Sequence, residues 1–209
     1  FVIKYNSSGT KQWTRQVGSG SSESTGVIAA DLSGNLYVAG QTFGALDGNS
    51  HSGQEDLFVV KYNSSGIKQW TKQMGTSSRD LVEEIAVDTS GNVYVTGSTE
   101  GGLDGNTHSG EFDMFLVKFN SSGTKQWTKQ LGSWSGDWGR GVASDPSGNI
   151  ILIGSSNGGL DALVKYDASG MKLWSRQVGG ASVTTDSSGN IFIWGSGGIN
   201  MYDSDGNKQ

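Results

Sequence analysis

The sequence predicts an all-β chain made of tandem copies of one four-stranded antiparallel unit, and three observations carry that expectation. Glycine is abundant at 34 residues and proline occurs once, as Pro146, while β-branched and aromatic residues cluster in short runs between Ser-Gly-Asn turns. Such a composition describes short strands and tight turns, not helices. One segment then recurs as FVIKYNSSGTKQWTRQVG, FVVKYNSSGIKQWTKQMG, FLVKFNSSGTKQWTKQLG and ALVKYDASGMKLWSRQVG, beginning at Phe1, Phe58, Phe115 and Ala162. A second alternates with it as GVIAADLSGNLYVAG, EIAVDTSGNVYVTG, GVASDPSGNIILIG and SVTTDSSGNIFIWG.

The tryptophans of the first segment, Trp13, Trp70, Trp127 and Trp174, lie 57, 57 and 47 residues apart. That period suits a four-stranded unit of a solenoid or propeller. Within one period the strands, named a to d, are expected near Val27, at Leu36 to Ala39, at Phe58 to Tyr62 and at Lys68 to Gln73. The a–b turns at Asp31, Asp88, Asp145 and Asp186 pair a glycine free to take positive φ with an aspartate that accepts a local backbone hydrogen bond. An antiparallel meander of this kind cannot bury both faces alone, and radial stacking of such sheets is the β-propeller solution. About four to five blades are represented, with repeats at 1–25 (strands c and d), 26–82, 83–139, 140–180 and an incomplete 181–209. Counting strands in this way leads to the expectation that the chain is not a self-sufficient closed ring. It then belongs to a longer propeller or completes itself against a neighbour through an open strand edge.

The GxAxDxSGNxYVxG hairpin, the GGLDGN that follows it and the FxVKYNSSGxKQW segment together resemble the bacterial β-propeller repeat called SBBP, over nearly the whole chain. The stretch YDASGMKLWSRQ is similar, more narrowly, to the repeats of quinone-binding propellers. The SBBP resemblance implies the propeller fold and a place outside the cell or at its surface. It implies no shared activity.

Composition also excludes functions. Fifteen basic and 20 acidic residues give a formal charge of -5 with no basic stripe to neutralise phosphates, so a nucleic-acid partner is not expected. No apolar run approaches the roughly 20 residues that span a bilayer. Cysteine is absent, which removes disulfides, thiolate catalysis and Cys-based zinc sites and leaves the compartment open. No nucleophile elbow or phosphate-binding glycine loop is present, and strings such as Gly195 to Gly198 read as turns. The chain is therefore not expected to be an enzyme.

Among conspicuous residues, one tryptophan per repeat at Trp13, Trp70, Trp127 and Trp174 reads as packing between blades. Trp134 and Trp138 occur in one repeat only, in GSWSGDWGRG. Beside Asp137 and Arg140 they form a candidate surface for a glycan or protein. The packing alternative has Trp138, aligned with Leu81, turned inward. Two loops between strands b and c match at Asp47, Asn49, His51, Asp56 and at Asp104, Asn106, His108, Asp113. Their oxygens offer a candidate calcium site, although His51 and His108 and the missing glutamate depart from the EF-hand pattern. Asn-Ser-Ser at Asn6, Asn63 and Asn120 fits N-glycosylation but also makes the c–d turn, and the turn reading is preferred. The leading expectation is a non-catalytic extracellular scaffold or recognition module of adhesion type. The alternatives are a structural repeat in a surface layer or fibre and a quinone-dependent or hydrolytic propeller enzyme.

Overall fold

The computed structural model describes residues 1–158, 162–195 and 197–209. Its described residues form a hairpin of β1 (Val2–Tyr5) and β2 (Lys11–Arg15), followed by three four-stranded antiparallel sheets. Blade 1 contains β3 (Glu23–Ala30), β4 (Leu36–Thr42), β5 (Asp56–Tyr62) and β6 (Lys68–Met74). Blade 2 contains β7 (Asp80–Val87), β8 (Val93–Thr99), β9 (Asp113–Phe119) and β10 (Lys125–Leu131). Blade 3 contains β11 (Asp137–Ser144), β12 (Ile150–Ser156), β13 (Leu163–Tyr166) and β14 (Lys172–Arg176). A last, three-stranded sheet holds β15 (Ser182–Thr185), β16 (Ile191–Gly195) and β17 (Gly198–Tyr202). Each four-stranded sheet is a meander of strands a to d in chain order, while the first hairpin supplies c and d and the last sheet a to c. This is the blade architecture of a β-propeller, and no described helix is long and apolar enough to cross a membrane.

Strand b extends further than its sequence suggests, to Thr42 in blade 1, because Gly40 continues the ladder opposite Phe58. On its other side the paired strand a is bulged, the register shifting between Ser24 and Val27, Val82 and Glu84, and Gly139 and Gly141. A bulged strand presses backbone against its neighbour. A Cβ on Gly97 would sit 1.8 Å from Leu81 O, and one on Gly154 would sit 2.5 Å from Trp138 O. Glycine here is a requirement of the ladder, not a strand breaker.

Side chains alternate across each strand, so each blade offers one face to the blade before it and the other to the blade after. Val2, with Trp13 and Val17 beside it, joins Val38, Phe58, Val60 and Tyr62 of blade 1. The opposite face of blade 1, through Tyr37, Ala39, Leu57 and Val59, meets Val95, Phe115 and Val117 of blade 2. The pattern repeats between blades 2 and 3 and between blade 3 and the last sheet.

The same polar joint closes each of these contacts. Trp13, Trp70, Trp127 and Trp174 are half-buried, and their indole N–H groups donate to Ser64 O, Ser121 O, Ala168 O and Ser204 O at 3.3–3.4 Å. Each acceptor lies in the c–d turn of the following unit. The preceding strand c sends a lysine to the same oxygen: Lys4 to Ser64, Lys61 to Ser121, Lys118 to Ala168 and Lys165 to Ser204, at 2.7–3.0 Å. The turn's glycine then lies against the indole. A Cβ on Gly66 would sit 2.7 Å from the Trp13 ring, and one on Gly123 2.8 Å from that of Trp70.

In blades 1 and 2 the a–b turn aspartate also accepts from a tyrosine hydroxyl, Tyr37 to Asp31 and Tyr94 to Asp88. The lysine lies over that ring, with Lys61 5.0 Å from the Tyr37 centroid. Blade 3 has Ile151 at the tyrosine's position, and there Lys165 pairs directly with Asp145 at 2.9 Å, both groups being buried. Burial pushes Asp145 up, but hydrogen bonds from Asn149 and Lys165 outweigh it and hold the carboxyl below its ordinary value. A group with a lowered folded pKa stabilises the fold above its unfolded pKa and loses that contribution as pH falls through the folded value. Asp145→Ala leaves Lys165 buried without its partner and is expected to lower stability by about 3–5 kcal/mol at neutral pH. Chemical denaturation across pH checks the sign: the gap to wild type should narrow below pH 3.8, the ordinary aspartate value, and a gap independent of pH would contradict it.

Candidate functional site

Meander topology sends the a–b and c–d turns to one end of the blades and the b–c and d–a loops to the other. The turn end is uniform. Asp31 accepts from Ser33 N–H and Asn35 N–H, and the same bonds recur at Asp88, Asp145 and Asp186. Asn6, Asn63, Asn120 and Asp167 hold the c–d turns in the same way. The loop end is where the repeats differ.

Its d–a loops are closed by an acid. Asp80 accepts from Thr76 N–H at 2.6 Å and from the Thr99 hydroxyl at 2.6 Å. Asp137 accepts from Ser133 N–H and hydroxyl, and Glu23 from Ser19 N–H and hydroxyl. Burial raises the Asp80 pKa above the ordinary value, against hydrogen bonds from Thr99 and Thr76 that lower it. The sequence signal for this device is a Gly-Ser or Gly-Thr pair followed by an acid four residues after the hydroxyl residue, at Gly18, Gly75 and Gly132. Sequence reading passed over it.

The four residues of the tryptophan-rich loop accordingly point in different directions. Asp137 is buried as the loop-closing acid. Trp138 is half-buried against Phe112, with ring centroids 6.2 Å apart. Arg140 lies over the Trp138 ring at 5.8 Å and reaches Glu83 at 3.4 Å. Trp134 projects outward with 80 % of its surface exposed. Its backbone is gripped by the neighbouring b–c loop, since a Cβ on Gly110 would sit 2.7 Å from the Trp134 carbonyl carbon. A shallow cleft that takes in one sequence-based candidate, Arg140, is rimmed by it and Trp194 over Gly179, Gly180 and Gly195. Ser196, within the glycine string after Gly195, lies outside the described residues.

The b–c loops are fastened to their own strand d by a glutamine. Gln73 accepts from Leu46 N–H and donates to Gly44 O and Asp56, and Gln130 does the same for Leu103, Gly101 and Asp113. Asp47 and Asp104 take positive φ, at 49° and 57°. Asp47 pairs with Lys68 at 2.5 Å and accepts from the Thr71 hydroxyl, while Asp104 pairs with Lys125. Those two bonds and the lysine charge hold the Asp47 carboxyl below its ordinary value. The Asn49 and Asn106 amides donate to Leu46 O and Leu103 O at 2.8 Å. Asp56 and Asp113 are buried and accept from Ser52 N–H and Ser109 N–H as well as from the glutamines. His51 Nε2 lies 3.3 Å from Gln54 O, and His108 is half-buried in the matching loop. Among the described residues no cluster of three or more His, Cys, Asp or Glu is assembled for a metal.

Residues 12–46, 69–104 and 126–161 match the family model described as SBBP, beta-propeller repeat. Together these stretches cover just over half of the chain. Among curated proteins, the regulatory protein FlaEY of Caulobacter vibrioides is 26 % identical over 173 residues, covering 76 % of this chain and 18 % of its own length. The WD repeat-containing protein L264 of Acanthamoeba polyphaga mimivirus is 30 % identical over 124 residues, covering 51 % of this chain and 9 % of its own. The chain thus spans less than a fifth of either relative. Among solved structures, a gluconolactonase from Xanthomonas campestris superposes with a TM-score of 0.54 at 13 % identity, over 87 % of this chain and 59 % of that one. The WD40 domain of Neurospora crassa Pan2 gives 0.53 at 14 % identity, over 88 % and 47 %. At such identities the likeness is one of fold alone.

For calcium to bind at Asp47 and Asp104 it must displace Lys68 and Lys125. Millimolar Ca²⁺ is therefore expected to leave the melting temperature unchanged. A rise on adding Ca²⁺ that Asp47→Ala with Asp104→Ala removes would contradict this, since a ligand bound only by the folded state raises stability by mass action.

Proposed function

Because the chain belongs to the SBBP β-propeller repeat family, we propose that it serves as a non-catalytic recognition and scaffold module outside the cell or at its surface, with the b–c and d–a loops as its contact face. The observation that carries this reading is the division of the blades into a uniform turn end and a varied loop end. A stiff frame with variable loops is a common way to place binding groups. Trp134 is the contact residue of choice. It is a large exposed aromatic on a loop braced by Ser133, Asp137 and Gly110, and aromatic faces suit stacking on a sugar ring or anchoring a protein.

Family resemblance supports the extracellular placement. A calcium role belongs to this reading only if the b–c loops exchange lysine for the ion. The enzyme alternative, hydrolytic or quinone-dependent, draws on fold likeness and on the similarity of YDASGMKLWSRQ to quinone-binding propeller repeats, and turnover of a lactone, sugar or alcohol panel by the purified protein would promote it.

A printed glycan array tests the recognition reading. Trp134→Ala is expected to weaken binding at least tenfold while changing stability by less than about 0.5 kcal/mol, as for an exposed site. Trp70→Ala should lower stability by about 3 kcal/mol, the low end for a large aromatic because its rim is exposed. Retained binding in the Trp134 variant, or a large loss of its stability, would contradict the assignment.

A further inference from the structure

The hydrogen bonds of the turn end recur from unit to unit, but at one joint, between blade 3 and the last sheet, the side chains around them depart from the repeat. In blades 1 and 2 a tyrosine fills the turn end of the joint. Tyr37 and Tyr94 are fully buried, and each donates its hydroxyl to the a–b turn aspartate of its own blade at 3.0 Å. Each also lies beside that blade's tryptophan, with ring centroids 6.1 and 6.3 Å apart. The Tyr37 hydroxyl reaches the next unit, 3.8 Å from a Cβ placed on Gly91. In blade 3 the tyrosine's place is taken by Ile151, opposite Lys165 as Tyr37 is opposite Lys61. Isoleucine is too short to fill the space and brings no hydroxyl to it.

A cleft of about 490 Å³ remains there, bordered by Asp145, Trp174 and Gly189, the counterparts of the groups that surround Tyr37. That volume lies within the roughly 300–1,000 Å³ of small-molecule sites. Its floor is the ion pair of Lys165 and Asp145, whose side chains are only 5 % and 3 % exposed. Lys165 commits two ammonium hydrogens, to Asp145 and to Ser204 O, and keeps a third. Above the floor, Ser147, Ser187 and Ser188 contribute hydroxyls that bond to no other described residue. Further departures sit at the rim. Leu173, 46 % exposed, replaces the glutamine that as Gln12, Gln69 and Gln126 donates to its own c–d turn. Pro146 stands where blades 1 and 2 have Leu32 and Thr89, and Asp205 where earlier turns have Ser65, Ser122 and Ser169.

We propose that this cleft, at the end of the blades opposite the variable loops, binds the ring of a neutral hexose. The third Lys165 hydrogen, the exposed Asp205 carboxylate and three uncommitted serine hydroxyls set donors and acceptors around one space, as a polyhydroxylated ring requires. Leu173 and Pro146 offer an apolar rim to the C–H face of such a ring. A plain phenol, like the side chain missing from this joint, would leave most of these polar groups unpaired when it covered them, at a cost for each. Two carboxylates, Asp145 and Asp205, against the one ammonium of Lys165 leave the lining acidic by one charge. An anionic ligand is therefore disfavoured by repulsion.

Titration of the amide NMR spectrum of the full chain tests this, with the methyl glycosides of glucose, galactose and mannose as probes and glucuronate as the anionic control. At least one neutral glycoside should shift the Ser147, Gly189 and Ser204 amides saturably, and glucuronate should bind at least tenfold more weakly. Ile151→Tyr restores the residue that blades 1 and 2 carry, so it should refill the cleft, keep a wild-type melting curve and weaken the glycoside at least tenfold. Should that variant melt early, Ser188→Trp, a change at an exposed rim position, closes the cleft from outside and is expected to weaken binding equally. Absence of saturable shifts at the cleft with all three glycosides would overturn the proposal. So would undiminished binding by a folded, cleft-filled variant, or glucuronate binding as tightly as the neutral sugars. Shifts confined to Trp134 and its loop would overturn it too, while leaving the loop-end reading in place.

Discussion

A single carbonyl oxygen in each c–d turn, that of Ser64, Ser121, Ala168 or Ser204, receives both an indole N–H and a lysine ammonium from the preceding unit. Much of the repeat can be read as what this contact demands. The turn needs a residue with positive φ and no side chain, because the indole lies flat against it. It also needs Asn or Asp at its start, whose side-chain oxygen accepts from two turn N–H groups and fixes where the carbonyl points. The lysine must come from the middle of an apolar strand. Lys118 and Lys165 are buried there, and burial holds the Lys118 pKa below its ordinary value. A hydrogen bond to such a charged donor contributes about 1.5–3 kcal/mol, comparable to the packing of the ring itself.

Confining the joint to one end leaves the other free to vary. The b–c loops are tied to their own blade by Gln73 and Gln130, and the d–a loops are closed on themselves by Glu23, Asp80 and Asp137. Neither tie depends on the loop's tip. A residue such as Trp134 is therefore displayed without being needed for the fold, while Trp138, four positions on, is drawn into the inner strand beside Arg140.

The repeat unit, its four strands and the packing tryptophans were legible in the sequence because periodicity at 57 residues is a global signal that no single substitution disturbs. Other features were not, for identifiable reasons. Lys61 in FVVKY reads as a solvent-facing residue of an alternating strand, and only the packing of the next blade shows that its ammonium is spent on a carbonyl. Asp47 to Asp56 shows oxygens at a suggestive spacing, but Lys68, the partner of Asp47, lies 21 residues away. Asp137 read as part of a surface with Trp134 because proximity in sequence does not reveal which way a bulged strand turns. The aligned repeats show tryptophan at position 194 where the first has Ala39, but only register places Trp194 opposite Ile199, as Ala39 is opposite Val59.

Native-state hydrogen exchange on the Trp70→Ala variant tests the blade-to-blade clamp most directly. Trp70 belongs to blade 1, yet its acceptor lies in the c–d turn of blade 2, so the effect should appear downstream of the substitution. Protection is expected to fall at Gly123 N–H and Thr124 N–H, which bond to Asn120 in that turn. It should persist at Gly66 N–H and Ile67 N–H, which bond to Asn63 beneath the intact Trp13. Equal loss at both turns, or greater loss within blade 1, would contradict the clamp as the interaction that orders the blades.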